Sequence, residues 1–566
     1  MEIEFALSNF KGFKQTEPIQ LKPLTVLCGI NNSGKSSILQ SLLLMKQSCV
    51  DEIQTSIDMP PPLIFNGNYV NLGEWNDAIY KHLASEKMGF NWRLKRKIEA
   101  LPFIESKPQE IEVEIDVKIE LDKNLENSLA ISNFIFRDSQ ENFLFELIRC
   151  GEHNIYNFKL ERIYVRELLM QLAQYYFEFY RYQSSNEIFS ANNINNINKI
   201  HETIDIFNQD KLLKDMIVDE FIFKNLKVEF IGIFPRILSG DNIATQNKNF
   251  LNEIKEKFKG LDLLEDFIAI IINSLDANDD KNIIDAAKKI FPANIAINYF
   301  YMSMVKFFRN FWSRLRYLGP IREAPKRFYL FDNPRNVNIG IRGENTPLIL
   351  AVEQNHKIPQ YYRCIYEAKR IKEYELIESD LMLTAVNWWV SECMQLPEIK
   401  SVGNFKGAIN QVQLESSGIP VYLPDVGFGV SQILPIIVEC LRSPAGETII
   451  LEQPEIHLHP SLQSKLADFL ICMAKSGKNL VVETHSEHLI NRLCLRIAQE
   501  ESNAIKDLTN ILFVSFDKDR ECSTITPIVI NDFGEIENWP VGFFDENDSR
   551  ELIAATLKKR RNHSSK

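Results

Sequence analysis

The chain has 566 residues, of which 45% are hydrophobic and 25% are charged, and its formal net charge at pH 7 is −12. This length and apolar content predict a globular protein with more than one domain. The acidic balance argues against a surface coated for nucleic acid or anionic membrane, although it leaves room for a local basic stripe.

Cysteine usage and hydropathy indicate the compartment. Nine cysteines are scattered along the chain without a CxxC pair, which fits reduced thiols better than a disulfide framework or a structural zinc site. The N-terminus lacks a basic stretch followed by an apolar core, and no run of 18 apolar residues occurs. We expect a cytoplasmic protein with no membrane partner.

The first elements form a strand, a loop and a helix. Leu24–Cys28 is a short apolar run, "GINNSGKSS" follows, and apolar residues recur at helical spacing from Ile38 to Met45. Gly29–Ser36 fits G-x-x-x-x-G-K-[ST] in the order that a phosphate-binding P-loop requires. This pattern predicts a site for ATP.

Each part of this loop has an expected role. The glycines let successive backbone N–H groups face the phosphates, and the helix N-terminus adds its positive dipole end. Lys35 is expected to reach the β and γ phosphates, and Ser36 to bind Mg²⁺. The predicted nucleotide-binding residues here are Gly29, Asn31, Asn32, Ser33, Gly34, Lys35, Ser36 and Ser37.

The middle of the chain has a different character. Glu110–Leu121 alternates charged with aliphatic residues, a period-2 pattern that predicts a half-buried strand. From about Tyr164 to Leu318 the sequence becomes aromatic and is predicted to be helical, with a loop or helix connection at Asn186–Ile200. We therefore expect one ATPase domain in two parts, residues 1–100 and 317–566, with residues 101–316 inserted as a strand and a helical lobe.

Sheet patterns return near the C-terminus. Thr448–Glu452 and Asn479–Glu483 are predicted strands, followed by helices that begin near Pro460 and Thr484. "THSE" predicts a capping box, with Thr484 as the cap. "NILFVSF" and "STITPIVI", separated by "DKDREC", predict a closing hairpin.

The stretch "ILEQPEIHLHP" ends a buried strand in an acidic loop. Glu452 is predicted to lie beside Ser36 as the acid on the Mg²⁺ side. The next position, where many ATPases carry a base for the attacking water, is Gln453, whose amide cannot take a proton at neutral pH. Glu455 is the nearest candidate base, and a capping or pairing role for it is equally open. His457 and His459 are expected to pack or hydrogen-bond rather than bind metal.

Two further segments are candidates for the same site. His485 follows a predicted strand and is expected at the carboxyl edge of the sheet, where it could sense the γ-phosphate. "LPDVGFGVSQILP" places Gly427, Gly429 and Ser431 at the start of an apolar helix. This loop is interpreted as one that a protomer offers to the nucleotide of another.

With these segments in this order, the chain resembles ABC-type ATPases of the SMC, RecF and OLD kind. More narrowly, it resembles prokaryotic AAA-type ATPases with a conserved C-terminal domain of unknown function. The resemblance covers residues 1 to about 80 and 317 to about 556. Its segments are "NFKGF" from Asn9, "LGPIREAPKRFY" from Leu318, "DVGFGVSQILP" from Asp425, "EQPEIHLHP" from Glu452 and "NWPVGFFDE" from Asn538.

The resemblance implies an α/β fold, an ABC-type P-loop ATPase head with a mostly helical inserted lobe. Such proteins dimerise head to tail around two ATP molecules. It also implies that Glu452 is the Walker B acid, that residues 427–432 form the signature loop and that His485 is the switch histidine. Two residues depart from the family pattern, because Gly427 replaces the signature serine and Gln453 replaces the catalytic glutamate.

The leading hypothesis is a slowly hydrolysing ATPase that forms a homodimer or higher oligomer. It would act as sensor or regulator for a separate effector, such as a nuclease or toxin, in antiviral defence, as many relatives do. One alternative is an ATP-locked scaffold, and another is a RecF-like DNA-repair ATPase, which the acidic charge disfavours. A nuclease within this chain is not expected, since "FDKDREC" is predicted to be a hairpin turn.

Overall fold

The computed structural model describes residues 2–51, 62–98, 109–122, 128–138, 144–150, 155–164, 217–231, 234–239, 243–257, 311–330, 338–367, 370–405, 409–416, 418–500 and 502–540, with a few isolated positions between 164 and 311. The chain divides into two compact units. The first unit comprises residues 1, 3–10 and 44–313, and the second comprises residues 2, 11–43 and 314–566.

The strands of the described residues are numbered along the chain. They are β1 (Glu2–Phe10), β2 (Phe13–Gln15), β3 (Ile19–Leu21), β4 (Leu24–Gly29), β5 (Met88–Ile98), β6 (Gln109–Leu121), β7 (Leu129–Asp138), β8 (Leu144–Arg149), β9 (Ile155–Tyr164), β10 (Ile217–Ile231), β11 (Phe234–Ser239), β12 (Leu315–Leu318), β13 (Tyr329–Leu330), β14 (Lys357–Ile358), β15 (Tyr361–Glu367), β16 (Arg370–Ile377), β17 (Asp380–Leu381), β18 (Glu398–Phe405), β19 (Ile409–Ser416), β20 (Ile419–Tyr422), β21 (Thr448–Glu452), β22 (Asn479–Glu483), β23 (Thr509–Asp517) and β24 (Cys522–Ile528).

The α-helices of the described residues are Lys35–Lys46, Trp75–Ala78, Ile243–Lys257, Thr346–Glu353, Met382–Asn387, Phe428–Arg442, Pro460–Lys475, Glu487–Gln499 and Ala504–Leu508. Short 3-10 turns occur at Tyr80–His82 and Leu423–Asp425, and π-helical turns at Gln47–Asp51 and Trp388–Cys393. No helix in the described part of the chain is both long and apolar enough to span a membrane.

The first unit is built on a sheet whose strands lie in the order β11-β10-β9-β8-β7-β6-β5-β1. From β11 to β5 each neighbouring pair is antiparallel. In β6, Ile115, Val117 and Ile119 are fully buried, whereas Asp116 and Lys118 between them are not. This alternation confirms the strand that the sequence predicts at 110–121, because successive side chains of a strand face opposite sides of the sheet.

A row of aromatic rings crosses the buried face of this sheet. The ring of Phe145 lies 5.4 Å from that of Phe134 on β7 and 5.3 Å from that of Phe158 on β9. On β10, Phe221 and Phe223 contact Phe250 of the helix Ile243–Lys257, at 4.6 and 5.8 Å between ring centroids. Such pairs add about 0.5–1.5 kcal/mol beyond burial alone.

The predicted helical character of 164–318 needs a correction. Within that range the structure describes β10 and β11 as well as the helix Ile243–Lys257. Tertiary pairing explains the difference: β10 pairs antiparallel with β9 and β11 and buries Phe223, Leu226 and Val228. The predicted connection at Asn186–Ile200 lies outside the described residues.

The second unit contains the sheet that positions the candidate site. Its strand order is β12-β21-β22-β4-β23-β24. The first five strands run parallel, and β24 pairs antiparallel with β23 as the predicted closing hairpin. The α/β fold class is therefore confirmed, and the predicted strands near 24–28, 448–452 and 479–483 are all present.

The helices of this unit cover the sheet. Phe428–Arg442 and Pro460–Lys475 pack into a core that includes Trp389 and Phe469, whose rings lie 4.8 Å apart edge to face. The helix after β22 begins at Glu487, and its cap is Ser486, whose hydroxyl oxygen accepts the Leu489 N–H at 3.1 Å. The predicted cap at Thr484 is thus wrong by two residues. The Thr484 N–H still donates to the Leu27 carbonyl of β4, so this residue extends the strand pairing instead of starting the helix.

Lys478, just before β22, is fully buried. Its ammonium has a weak contact with the Met473 sulfur at 4.0 Å, and burial lowers the pKa of Lys478 to about 8. Because a buried ammonium loses its hydration, Lys478→Met should raise the free energy of unfolding by about 1–3 kcal/mol at pH 7.

The stabilisation by Lys478→Met, relative to wild type, should decrease as the pH rises. Between the folded pKa near 8 and the unfolded value of 10.5, the unfolded state binds more protons, so wild-type stability rises with pH. The advantage of Lys478→Met should therefore be full below pH 8 and shrink by pH 10, as measured by thermal unfolding. Lys475→Met is the control, since Lys475 pairs with Glu500 at 3.4 Å. Equal melting temperatures of wild type and Lys478→Met at pH 7 would contradict this account.

Candidate functional site

The candidate site lies at the carboxyl edge of the parallel sheet. β21, β22 and β4 run in the same direction, and Glu452 is paired in register with Glu483, which is paired with Leu27. The strand ends therefore bring the loop after β4 beside the last residues of β21 and β22. Open α/β sheets bind their ligands at this edge.

The loop between β4 and its helix requires glycine at two positions. Gly29 has a φ of +144°, and a Cβ there would lie 2.0 Å from the Val514 carbonyl oxygen. Gly34 has a φ of +106°, and its Cβ would lie 2.9 Å from the Ser523 hydroxyl. The backbone can therefore curl against β23 and β24 only because these side chains are absent.

Lys35 turns back over this loop. Its ammonium donates to the carbonyls of Gly29 at 3.1 Å and Ile30 at 2.7 Å, and burial lowers its pKa. Asn31 and Asn32 are exposed at the tip of the loop.

Two serines flank Lys35 and Ser36. The buried Ser33 hydroxyl has no hydrogen-bond partner among the described residues. Ser37 closes the first helical turn through its N–H to Gly34. The helix start and its cation thus form a ready anion site.

Ser36 is held by a residue that the sequence reasoning missed. Its hydroxyl donates to Glu483 Oε1 at 3.0 Å, whereas the sequence placed Glu452 beside it. The reason is the strand order, since β22 lies between β21 and β4 and brings its own last residue to the P-loop. The one sequence signal was an acid at the end of the predicted strand "NLVVE".

Glu452 is fixed by partners from the segment after β12. Tyr317 donates its hydroxyl to Glu452 Oε2 at 2.7 Å, and burial raises the pKa of Tyr317. Arg322 donates from Nη1 to the Glu452 carbonyl at 3.0 Å. The Arg322 side chain is buried, which lowers its pKa to about 10, and its Nε and Nη2 have no partner within the described residues.

The next residues form a sharp turn. Gln453 has a φ of +45°, uncommon for a residue with a side chain, and its N–H donates to the Glu483 carbonyl at 2.8 Å. Glu455 is buried, and its Oε1 accepts the His485 N–H at 2.7 Å. Burial raises the pKa of Glu455, and its Oε2 has no hydrogen-bond partner in the described part of the chain.

The three histidines near this turn differ in role. His485 is exposed, and burial of part of its ring together with the Lys35 charge lowers its pKa. His459 caps the helix Pro460–Lys475 by accepting the Ser461 N–H, and the His457 ring lies 6.1 Å from that of Phe428. His457 and His459 thus pack and hydrogen-bond as the sequence predicts, and the charge of the P-loop lysine acts on His485.

The glycine loop begins the helix Phe428–Arg442, with Gly427 as its cap. A Cβ at Gly427 would meet nothing within 4 Å, and one at Gly429 would make ordinary contacts at 3.9 Å with Leu458 and Leu462. Neither position needs glycine for the fold of this chain. Ser431 is turned inward, since it is buried and donates to the Phe428 carbonyl at 2.8 Å, so its hydroxyl does not face out of the loop.

The charges at this edge suit a hydrated divalent cation with phosphate. Burial is the main cause that raises the pKa of Glu483 to about 7, and the nearby Glu452 carboxylate raises it further. Ser36, Glu452 and Glu483 are hard oxygen donors of the kind Mg²⁺ prefers. The described residues contain no group of three His, Cys, Asp or Glu arranged to hold a metal alone, so phosphate and water would complete the shell.

A glycine loop with its lysine and serine, next to a buried acidic strand end, defines a P-loop ATPase site. The chain belongs to the AAA ATPase domain family, whose model matches residues 1–490. A second model, Protein of unknown function (DUF3696), matches residues 506–551. The two matches confirm the predicted AAA-type ATPase with a C-terminal domain of unknown function, and ATP is its nucleotide.

Solved structures similar to this chain include SMC heads. The Smc head domain of Pyrococcus furiosus, with an extended coiled coil and bound to the C-terminal domain of ScpA, is 11% identical; the match covers 93% of this chain and 96% of that one, with a TM-score of 0.33. The SMC head domain from Thermotoga maritima is 12% identical, with 94% and 100% covered and a TM-score of 0.30. No curated protein matches the chain.

Proposed function

We propose that the chain binds ATP with Mg²⁺, dimerises on it and hydrolyses it slowly, as the sensor or regulator of a separate effector protein. The observation that carries this proposal is Gln453, an amide that follows the Glu452 carboxylate at the strand end. Loss of a general base typically costs about 10²- to 10⁴-fold in rate. ATP would then hold the closed state for a long time.

The surface of the site supports a dimer across the nucleotide. Ile30 in the P-loop and Phe428 at the start of the signature helix are 52% and 62% exposed. A Cβ at Gly427 would meet nothing within 4 Å, so the fold of this chain does not require glycine there. Exposed apolar side chains beside this open glycine suit the close approach of a second copy.

The partner assignment rests on the family resemblance. Many of the proteins that the chain resembles belong to antiviral defence systems, where they act with a separate effector such as a nuclease or toxin. The same role is proposed for this chain, with Lys35 and Ser36 on the phosphates and Mg²⁺, and His485 near the γ-phosphate. Slow turnover suits a sensor, because a long-lived ATP dimer persists as a signal.

Gly429→Arg should block association without preventing nucleotide binding. A side chain can begin at this position, since a Cβ at Gly429 meets its neighbours at 3.9 Å, and an arginine is proposed to project where a partner's phosphates must approach. We expect monomeric mass by light scattering in Mg-ATP, with nucleotide affinity within about 3-fold of wild type.

Ala445→Arg is the matched control for Gly429→Arg. Ala445 is exposed in the loop before β21, at the opposite edge of the sheet, and this variant should still associate. ATP-dependent association by Gly429→Arg as strong as that of the control would remove the signature loop from the interface.

Gln453→Glu should raise the steady-state ATP turnover number at least about 10-fold, because it restores a carboxylate at the strand end. Gln453→Met keeps a similar volume without a base, so it should give no gain and serves as the control. Turnover would be followed by phosphate release, and the lifetime of the closed dimer should shorten in parallel.

Glu455→Gln tests whether Glu455 is the substitute base. A glutamine keeps the oxygen that accepts the His485 N–H, so the turn is preserved while the carboxylate is lost. If Glu455 is the substitute base, turnover should fall by about 10²-fold or more, whereas a capping or pairing role would leave it nearly unchanged. Fast wild-type turnover that survives Glu455→Gln, with no gain from Gln453→Glu, would place the water-activating group outside this loop.

A further inference from the structure

The proposed function assigns no separate role to Glu483, although its carboxylate lies among the oxygen donors of the site. It is the last residue of β22, 1% exposed, between the strand that carries Glu452 and the strand that enters the P-loop. Its backbone carbonyl accepts the Gln453 N–H, which ties the turn after β21 to the same point. Its side chain is therefore fixed at the centre of the candidate site.

The two oxygens of this carboxylate have different surroundings. Oε1 accepts the Ser36 hydroxyl at 3.0 Å. Oε2 is buried and has no hydrogen-bond partner among the described residues. A buried carboxylate oxygen left without a donor is costly, and it marks a place that a cation or a donor from a ligand would fill.

The neighbouring groups favour a cation over a neutral donor. The carboxylates of Glu452 and Glu455 both act electrostatically on Glu483, and Lys35 is the opposing charge. The ammonium of Lys35 already donates to the two P-loop carbonyls. Lys35 and the buried Arg322 are two cations beside three carboxylates, which leaves negative charge that a divalent ion would balance.

We propose that Glu483 is a second acid of the magnesium site: it positions Ser36 and supplies its free carboxylate oxygen to the Mg²⁺ that accompanies ATP. The P-loop and Walker B patterns alone assign only Ser36 and Glu452 to this ion. With Glu452 held by Tyr317, the acid nearest the P-loop hydroxyl is on the neighbouring strand. This inference rests on the proposed binding of Mg-ATP at this site.

The test measures metal binding rather than activity. Free Mn²⁺ is counted by electron paramagnetic resonance in the presence of a non-hydrolysable ATP analogue, and analogue affinity is measured separately in EDTA. Glu483→Gln should weaken Mn²⁺ affinity about 10- to 100-fold, the usual range for a lost group around a metal. Its amide oxygen still accepts from Ser36, so analogue affinity in EDTA should stay within about 3-fold.

Two further variants serve as controls for Glu483→Gln. Glu483→Asp keeps a carboxylate and should recover part of the Mn²⁺ affinity. Glu447→Gln changes a buried acid before β21, at the far edge of the sheet, and should leave Mn²⁺ affinity unchanged.

Three outcomes are informative. Loss of Mn²⁺ affinity in Glu483→Gln that is smaller in Glu483→Asp and absent in Glu447→Gln supports the proposal. Unchanged Mn²⁺ affinity in Glu483→Gln, with the analogue bound, overturns it even if turnover is lost. A wild-type protein that fails to bind the analogue in either condition overturns the proposed function and this inference together.

Discussion

The strand order of one parallel sheet is the constraint on which the site depends. β22 lies between β21 and β4, and all three point their carboxyl ends to the same edge. This order brings a loop near residue 30 against residues near 453 and 484, more than 400 positions along the chain. A glycine loop that can approach β23 closely, and a strand end with an acid, are then enough to build a phosphate and cation site.

The second feature of the site is the amount of charge that it buries. Glu483, Glu455 and Arg322 are all largely inaccessible, and each has at least one polar atom without a partner in the described residues. Glu455 is held by the His485 N–H, and the Arg322 guanidinium donates to the Glu452 carbonyl. A ligand that brings both phosphate oxygens and a divalent ion would satisfy them together, which links nucleotide binding to the stability of this edge.

Local patterns predicted much of the second unit. The P-loop, the strands on either side of the site and the closing hairpin follow from runs of apolar residues and from glycine positions that tolerate no side chain. The role of Glu483 could not be predicted in this way, because a strand's neighbours are set by pairing across the fold and leave no trace in its own five residues. Tyr317 and Arg322 were missed for the same reason, since they come from a segment that the sequence places far from Glu452.

In the first unit, the sequence pattern predicted one strand correctly and another wrongly. The alternation in β6 is strict, so the strand was predictable, whereas β10 mixes aromatic and charged residues whose pattern alone suggested helix. Pairing with β9 and the Phe250 contact decide its structure. The residue ranges assigned from the sequence to the head and the inserted lobe remain predictions.

The central claim is that this chain closes on ATP and turns it over slowly. Its most direct test is to measure ATP turnover and mass by light scattering on one preparation, with and without Mg-ATP, beside Lys35→Ala. Since many enzymes turn over at about 10 s⁻¹, the account predicts a doubled mass in Mg-ATP with turnover well below about 1 s⁻¹, and neither change in Lys35→Ala. A mass that does not respond to Mg-ATP, or a wild type indistinguishable from Lys35→Ala, would contradict it.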